Sequence, residues 1–344
     1  MTRLSSIAEA PPADAVQRPL AVALGDPAGI GPEIVAKAWD ARLTRVLPPF
    51  FAIGNVRSIE RVWSGPIVRI TNPSEAIAAF GDALPVLSVG DAKKIVPGTP
   101  DVDGARCAIA SLETAVGLAR TGGVAGLVTG PVSKAELYRI GFTYPGQTEF
   151  IAERCGISSE NAVMMLAGPT LRVVPITTHI ALADVPAALS IELIVAKARV
   201  TARGLKRSFG IQSPRLCFAG LNPHAGEGGA IGSEEIEIIR PAVELLVEEG
   251  IDAMGPFAAD GMFHARARAG YDVAMCLYHD QALIPLKALH FDEGVNMTLG
   301  LPIVRTSPDH GTAFGIAGKD AAEPGAMIAA IAMAGQAAQR RQEA

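Results

Sequence analysis

Residues 20–33 read LAVALGDPAGIGPE, and this stretch decides the fold class. Five aliphatic residues, Leu20 to Leu24, stop at Gly25. A short apolar run closed by a glycine turn is the pattern of a strand covered on both faces. Pro32 then opens a helix over 32–40, where its missing N–H costs nothing. Strand, glycine turn and helix make half of a βαβ unit, and the rest of the chain repeats the alternation. Apolar runs at 126–129, 171–177, 215–219 and 273–277 read as strands. Helical patterns start near Ser133, cover 191–209 and 234–249, and end in an Ala-rich tail helix over 321–338. The expected fold class is α/β, with mostly parallel strands and helices on both faces.

Composition limits what such a fold can do. With 344 residues, 49 % hydrophobic and 19 % charged, the chain can bury one large or two medium cores, and disorder is excluded. A net charge of -5 and only 5 % aromatics argue against a nucleic-acid partner. Cys107, Cys155, Cys217 and Cys276 form no C-x-x-C pair and read as reduced core residues of a cytoplasmic protein. Residues 1–18 hold no apolar stretch and read as a disordered lead rather than a signal peptide. No run is long enough to span a membrane.

Three of the six histidines share one context. His179 ends LRVVPITTH, His224 ends RLCFAGLNPH, and His279 follows the strand in DVAMCLYHD. Ligands of open α/β sheets bind beyond the carboxyl ends of strands, so the three imidazoles are expected to converge on a divalent ion. Any one alone reads as a satisfied polar residue. Together, near Glu227, Asp260 and Asp280, they favour a metal. Lys287, after an expected turn at Pro285, Asn296, and Arg305, ending an expected strand LPIVR, offer donors to an anionic substrate. By spacing alone they equally read as solvated residues. The turn from Gly25 to Gly31 and the turn Asp309-His310-Gly311-Thr312 suit backbone contacts to an anion or simply tight turns. No G-x-G-x-x-G fingerprint is present. Tyr278 reads as a half-buried aromatic.

The ordered motifs LVTGPVSK, GQTEF, MMLAG, ITTH, GLNPHAGEGG, YHDQALIPLK and HGTAFGIAG follow the opening stretch. Over nearly its whole length from Pro19 the chain resembles the 4-hydroxythreonine-4-phosphate dehydrogenase family of vitamin B6 biosynthesis. The resemblance implies a two-lobed isocitrate/isopropylmalate dehydrogenase-like fold. Its first lobe is discontinuous, 19–130 plus 301–344, its second is 131–300, and the active site lies in the cleft between them. It implies one divalent ion (Zn2+, Mg2+ or Co2+) on His179, His224 and His279. Substrate contacts are expected from Gln147, Thr148, Lys287, Asn296 and Arg305, and NAD or NADP contacts from His310, Gly311 and Thr312. Asp260 and Lys287 are the candidates for proton transfer. A homodimer with composite sites is implied as well. The expected reaction oxidises 4-phosphooxy-L-threonine and then loses CO2. The alternatives are a related dehydrogenase of another phosphorylated hydroxy acid or a dihydrodiol, a metal-dependent lyase or hydrolase, and a non-catalytic metabolite-binding protein. The chain departs from the family pattern at Gln147, where histidine is usual, in the segment 255–261, and at Gly315.

Overall fold

The structure is a computed structural model and describes residues 18–92 and 94–343. Residues 1–17, on which the expected lead falls, lie outside them. The strands are β1 (Leu20–Ala23), β2 (Phe50–Gly54), β3 (Ile67–Ile70), β4 (Leu84–Ser88), β5 (Gly126–Thr129), β6 (Val163–Gly168), β7 (Leu171–Pro175), β8 (Leu216–Ala219), β9 (Ala253–Phe257), β10 (Val273–Cys276), β11 (Val295–Leu299) and β12 (Arg305–Pro308). They form a single 12-stranded sheet in the order β3-β4-β2-β1-β5-β12-β11-β6-β7-β10-β8-β9. Pairing is parallel everywhere except where β11 meets β12 and β6, and where β6 meets β7. The main helices are α1 (Gly31–Asp40), α2 (Val102–Arg120), α3 (Lys134–Arg139), α4 (Gln147–Arg154), α5 (Ile191–Phe209), α6 (Arg240–Glu248), α7 (His279–His290) and α8 (Gly325–Glu343). Among the described residues no helix is long and apolar enough to cross a membrane.

The strand period of two distributes side chains between two cores. Leu20 and Val22 of β1 pack with Ile34 and Val35 of α1 and with Met327 and Ile331 of α8. Ala21 and Ala23 point the other way, toward Leu112, Ala115 and Val116 of α2. Phe50 and Phe51 of β2 divide in the same manner. Both faces are therefore covered, which is why these strands read as unbroken apolar runs. Segments 19–130 and 301–344 supply β1–β5 and β12, and segment 131–300 supplies β6–β11. The boundary between the two sets falls at the β12–β11 pair. All four cysteines are free, three of them buried, and burial pushes the Cys217 thiol up to about 11.

Proline chemistry accounts for most differences from the expected elements. The strand expected to end at Arg305 instead begins there, because Pro302 cannot donate to a central ladder. The helix expected over 234–249 is a π-helix, Glu235–Ile239, followed by α6, with Pro241 removing a donor at the junction. The tail helix starts at Gly325, after Pro324. Pro285, read as a turn, lies inside α7.

The turn after β1 is packed too tightly for side chains at its glycines. A Cβ on Gly31 would fall 2.0 Å from the Leu24 carbonyl oxygen. Gly25, at φ +75°, has the Pro131 oxygen 2.2 Å from where a Cβ would be. The turn's N–H groups are spent internally. Asp26 N–H donates to Pro131 O at 2.9 Å, Ala28 N–H to Asp26 Oδ1 at 3.0 Å and Ile30 N–H to Thr312 O at 3.0 Å. The expected anion cradle at Gly25–Gly31 is thus filled by the protein's own acceptors. Asp26 is 1 % exposed, and burial pushes its carboxyl up to about 6, reinforced by the charges of Asp101 and Glu136 and opposed by the Ala28 N–H.

Two stability predictions follow from this turn. Gly31→Ala lowers stability by about 1–3 kcal/mol or more through the backbone clash. Gly117→Ala, on an exposed turn of α2 with open space around it, raises stability by about 0.5–1 kcal/mol. Denaturant midpoints read both, and equal effects at the two positions would refute the packing argument. The second concerns pH. An unfolded aspartate ionises near 3.8, whereas folded Asp26 holds its proton to about 6. Stability is therefore full below 3.8 and is lost as pH rises through 6, by about 3 kcal/mol in total. Asp26→Asn keeps the Ala28 contact and removes that loss. Its melting temperature should exceed that of the wild type at pH 8 and match it at pH 3.5.

Candidate functional site

β12 and its neighbours build a polar patch in the middle of the sheet. Register places Asn296 opposite Ser307 and, two residues on, Thr298 opposite Arg305, so all four share one face. Arg305 is 4 % exposed. Its Nη2 donates to Thr129 Oγ1 at 2.8 Å and its Nη1 to Thr298 Oγ1 at 3.0 Å, with Thr148 Oγ1 at 3.5 Å. No carboxylate pairs with it among the described residues, and its Nε is buried without a partner. Burial lowers the guanidinium to about 10, while the nearby Glu149 charge opposes the shift. Asn296 Oδ1 and Gln147 Oε1 are likewise buried and unpartnered. Such orphaned polar atoms point to a missing ligand. Gln147 commits its amide N–H to Gly130 O at 3.1 Å, so on this stretch the neighbouring Thr148 is the residue that reaches Arg305.

The histidines do not all meet. Beyond β7, Ile176 N–H donates to Cys276 O at 2.7 Å and Thr177 Oγ1 donates to Leu277 O at 2.8 Å. These bonds carry His179 alongside His279, the first residue of α7, with ring centroids 5.6 Å apart. His279 Nδ1 is 2.7 Å from Asp280 Oδ1. Burial, then the Lys134 and His279 charges, hold His179 below the usual histidine range against an opposing effect of Glu149. The shift favours the neutral ring, the form that binds metals. Glu149 thus acts on both His179 and Arg305 and links the two groups.

His224 stands elsewhere, its side chain 70 % exposed and 3.0 Å from Glu227 Oε2. It opens a run of left-handed residues, His224 to Gly228, that aims it outward. Buried Glu235 supports this turn, accepting from Asn222 N–H at 2.7 Å and Asn222 Nδ2 at 3.0 Å. The turn holding exposed Asp260 packs against it. Among the described residues no group of three His, Cys, Asp or Glu side chains is placed to hold one ion. One chain therefore presents two imidazoles together and the third apart, contrary to the expected convergence. Gln281 ties the two regions, accepting from Leu277 N–H at 2.6 Å and donating to Gly220 O at 2.8 Å.

Lys287 lies 3.1 Å from Asp309 Oδ2, beside the turn His310-Gly311-Thr312. His310 is exposed, and Thr312 O accepts from Ile30, so this turn rests on the one after β1. Lys287 and Asp260 thus occupy different loop clusters. Tyr278 is half-buried against the core. Thr129, Thr298, Lys134, Glu149, Glu235 and Gln281 were not legible as site residues. The one usable signal was the two-residue spacing of Thr298 from Asn296.

The family model described as pyridoxal phosphate biosynthetic protein PdxA matches residues 49–334. The 4-hydroxythreonine-4-phosphate dehydrogenase of Zymomonas mobilis is 60 % identical over 325 residues, covering 94 % of this chain and 97 % of that protein. That of Erythrobacter litoralis is 54 % identical over 333 residues, covering 95 % and 99 %. The crystal structure of 4-hydroxythreonine-4-phosphate dehydrogenase from Klebsiella pneumoniae superposes with a TM-score of 0.85 at 35 % identity, covering 95 % of this chain and 100 % of that one. A terephthalate 1,2-cis-dihydrodiol dehydrogenase from Burkholderia xenovorans is more distant, with a TM-score of 0.63 at 29 % identity, covering 93 % and 98 %. The chain belongs to the pyridoxal phosphate biosynthetic protein PdxA family, the 4-hydroxythreonine-4-phosphate dehydrogenases.

Proposed function

We propose that the chain oxidises 4-phosphooxy-L-threonine to 2-amino-3-oxo-4-phosphooxybutanoate, which loses CO2 to give 3-amino-2-oxopropyl phosphate. Enzymes of this family are oxidoreductases that use a nicotinamide cofactor and a divalent metal, and both NAD and NADP are admitted here. The observation that carries the reading to these residues is the buried Arg305 guanidinium. It has no carboxylate partner among the described residues and lies on the same sheet face as the orphaned Asn296 oxygen. An anionic substrate group supplies the missing counter-charge. Asn296 Oδ1 and Gln147 Oε1 then accept hydrogen bonds from the substrate's hydroxyl or ammonium group. Lys287 adds a positive charge beside the turn of His310, Gly311 and Thr312, which receives the nucleotide. Asp260 and Lys287 are the proton-transfer groups. The site lies in the cleft between the lobes 19–130 plus 301–344 and 131–300, and the enzyme works in the cytoplasm.

The paired rings of His179 and His279, with centroids 5.6 Å apart, would supply two nitrogens to one divalent ion. His224 of a second copy supplies the third nitrogen in a homodimer with composite sites. A bound Zn2+, Mg2+ or Co2+ would supply Lewis acidity toward the substrate hydroxyl, and a bound NAD or NADP would supply the hydride acceptor.

The composite reading is tested by complementation. His224→Ala and His279→Ala are each inactive, but their heterodimer regains one intact site. After subunit exchange an equimolar mixture should reach about a quarter of wild-type activity, the share expected from random two-fold pairing. No recovery despite verified exchange would refute it. Arg305→Gln should raise KM about 10- to 100-fold, from loss of a charged hydrogen bond worth about 1.5–3 kcal/mol, while the melting temperature changes little. An unchanged KM would remove Arg305 from the substrate site.

A further inference from the structure

Helix α5, helix α8 and the loop between β11 and β12 flank a solvent-open pocket of about 420 Å³ that none of the residues assigned above lines. Three arginines line it: Arg203 and Arg207, one turn apart on α5, and Arg341 on α8. No aspartate or glutamate does. Among the described residues none of the three makes an ion pair. By contrast Arg199, one turn earlier on the same helix, is paired with Glu249.

Arg341 is the anchor of the group. Its Nε donates to Ser208 Oγ at 3.1 Å, and its Nη1 lies 3.4 Å from the carbonyl oxygens of both Leu301 and Pro302. Burial and the charge of Arg207 lower its guanidinium to about 10, a sign that the two groups converge. Favourable placement at a helix C-terminus accounts for Arg207 and Arg341, but not for Arg203 in the body of α5. We propose that this pocket binds a small phosphorylated molecule at a site separate from the catalytic one. Three delocalised guanidiniums match the charge and forked geometry of a phosphate or pyrophosphate group. Asn161 adds an amide, Val200 and Leu301 offer an apolar wall, and the volume lies in the range of small-ligand sites. Arg203 and Arg207 come from segment 131–300 and Arg341 from segment 301–344. A bound anion therefore ties the two segments together where the chain crosses between them.

Isothermal titration of the full-length enzyme with inorganic pyrophosphate at constant ionic strength tests the proposal. The wild type should show a binding event that is at least tenfold weaker in the double variant Arg203→Gln/Arg207→Gln, with kcat in pyrophosphate-free buffer unchanged. Both side chains are exposed, so circular dichroism should report an intact fold. Arg199→Gln, which removes a paired arginine from the same helix, should leave the binding event as it is. Identical isotherms for the wild type and the double variant overturn the proposal. So does equal weakening by Arg199→Gln, which would reduce the effect to diffuse surface charge.

Discussion

A guanidinium in the centre of a sheet covered on both faces is the constraint around which the middle of this molecule is arranged. Arg305 is surrendered from water almost completely, and desolvating a charge without compensation is costly. The compensation comes from two strands and a helix, two of the three elements distant in sequence. Thr129 ends β5, Thr298 lies in β11, and Thr148 sits in the first turn of α4. Hydroxyls orient a cation without neutralising it, so the charge remains available to an incoming anion. A carboxylate in place of any of these threonines would pair with the guanidinium and compete with an incoming anion.

The histidines follow a different logic. His179 and His279 are brought together by backbone pairing beyond β7 and β10, with His179 turned to φ +50° just past that pairing. His224 depends on a longer left-handed run. His224, Ala225 and Glu227 all have positive φ, a region that costs a non-glycine residue about 1–2 kcal/mol each. The buried Glu235 carboxylate and Asn222 hold that turn closed. Strain of this kind collects at functional sites, and here it falls on His179, at φ +50°, and on the turn that carries His224.

Much of this was legible in the chain. The strand at 126–129 and the helix at 191–209 have the expected bounds, the other strands of the opening pattern shift by a residue or two, and the tail helix, expected over 321–338, runs from Gly325 to Glu343. Aliphatic runs and glycine stops are local signals, and they suffice for strands buried on both faces. Strands β3 and β9, which are only half-buried, carry no comparable run. Of the residues that hold Arg305, Thr148 was expected at the site, whereas Thr129 and Thr298 escaped because threonine in a strand carries no local mark of function. Their relation to Arg305 depends on strand order, which brings residues 129, 298 and 305 side by side. The parting of His224 from the other two imidazoles was equally hidden, since five successive left-handed residues have no signature that separates them from an ordinary glycine-rich turn.

The position of β12 also bears on how the chain is made. It lies between β5 and β11, in the interior of the sheet, yet it is the last strand to leave the ribosome. Until residues 305–308 emerge, β5 and β11 each present an unsatisfied ladder edge, and the two halves can grow only as separate five- and six-stranded sheets. Closing the gap joins them and delivers Arg305 to its threonines in the same step. The nascent sheet thus acquires its central charge only after the other eleven described strands have emerged, and a product cut short before residue 305 would be left with two open edges and no anion site.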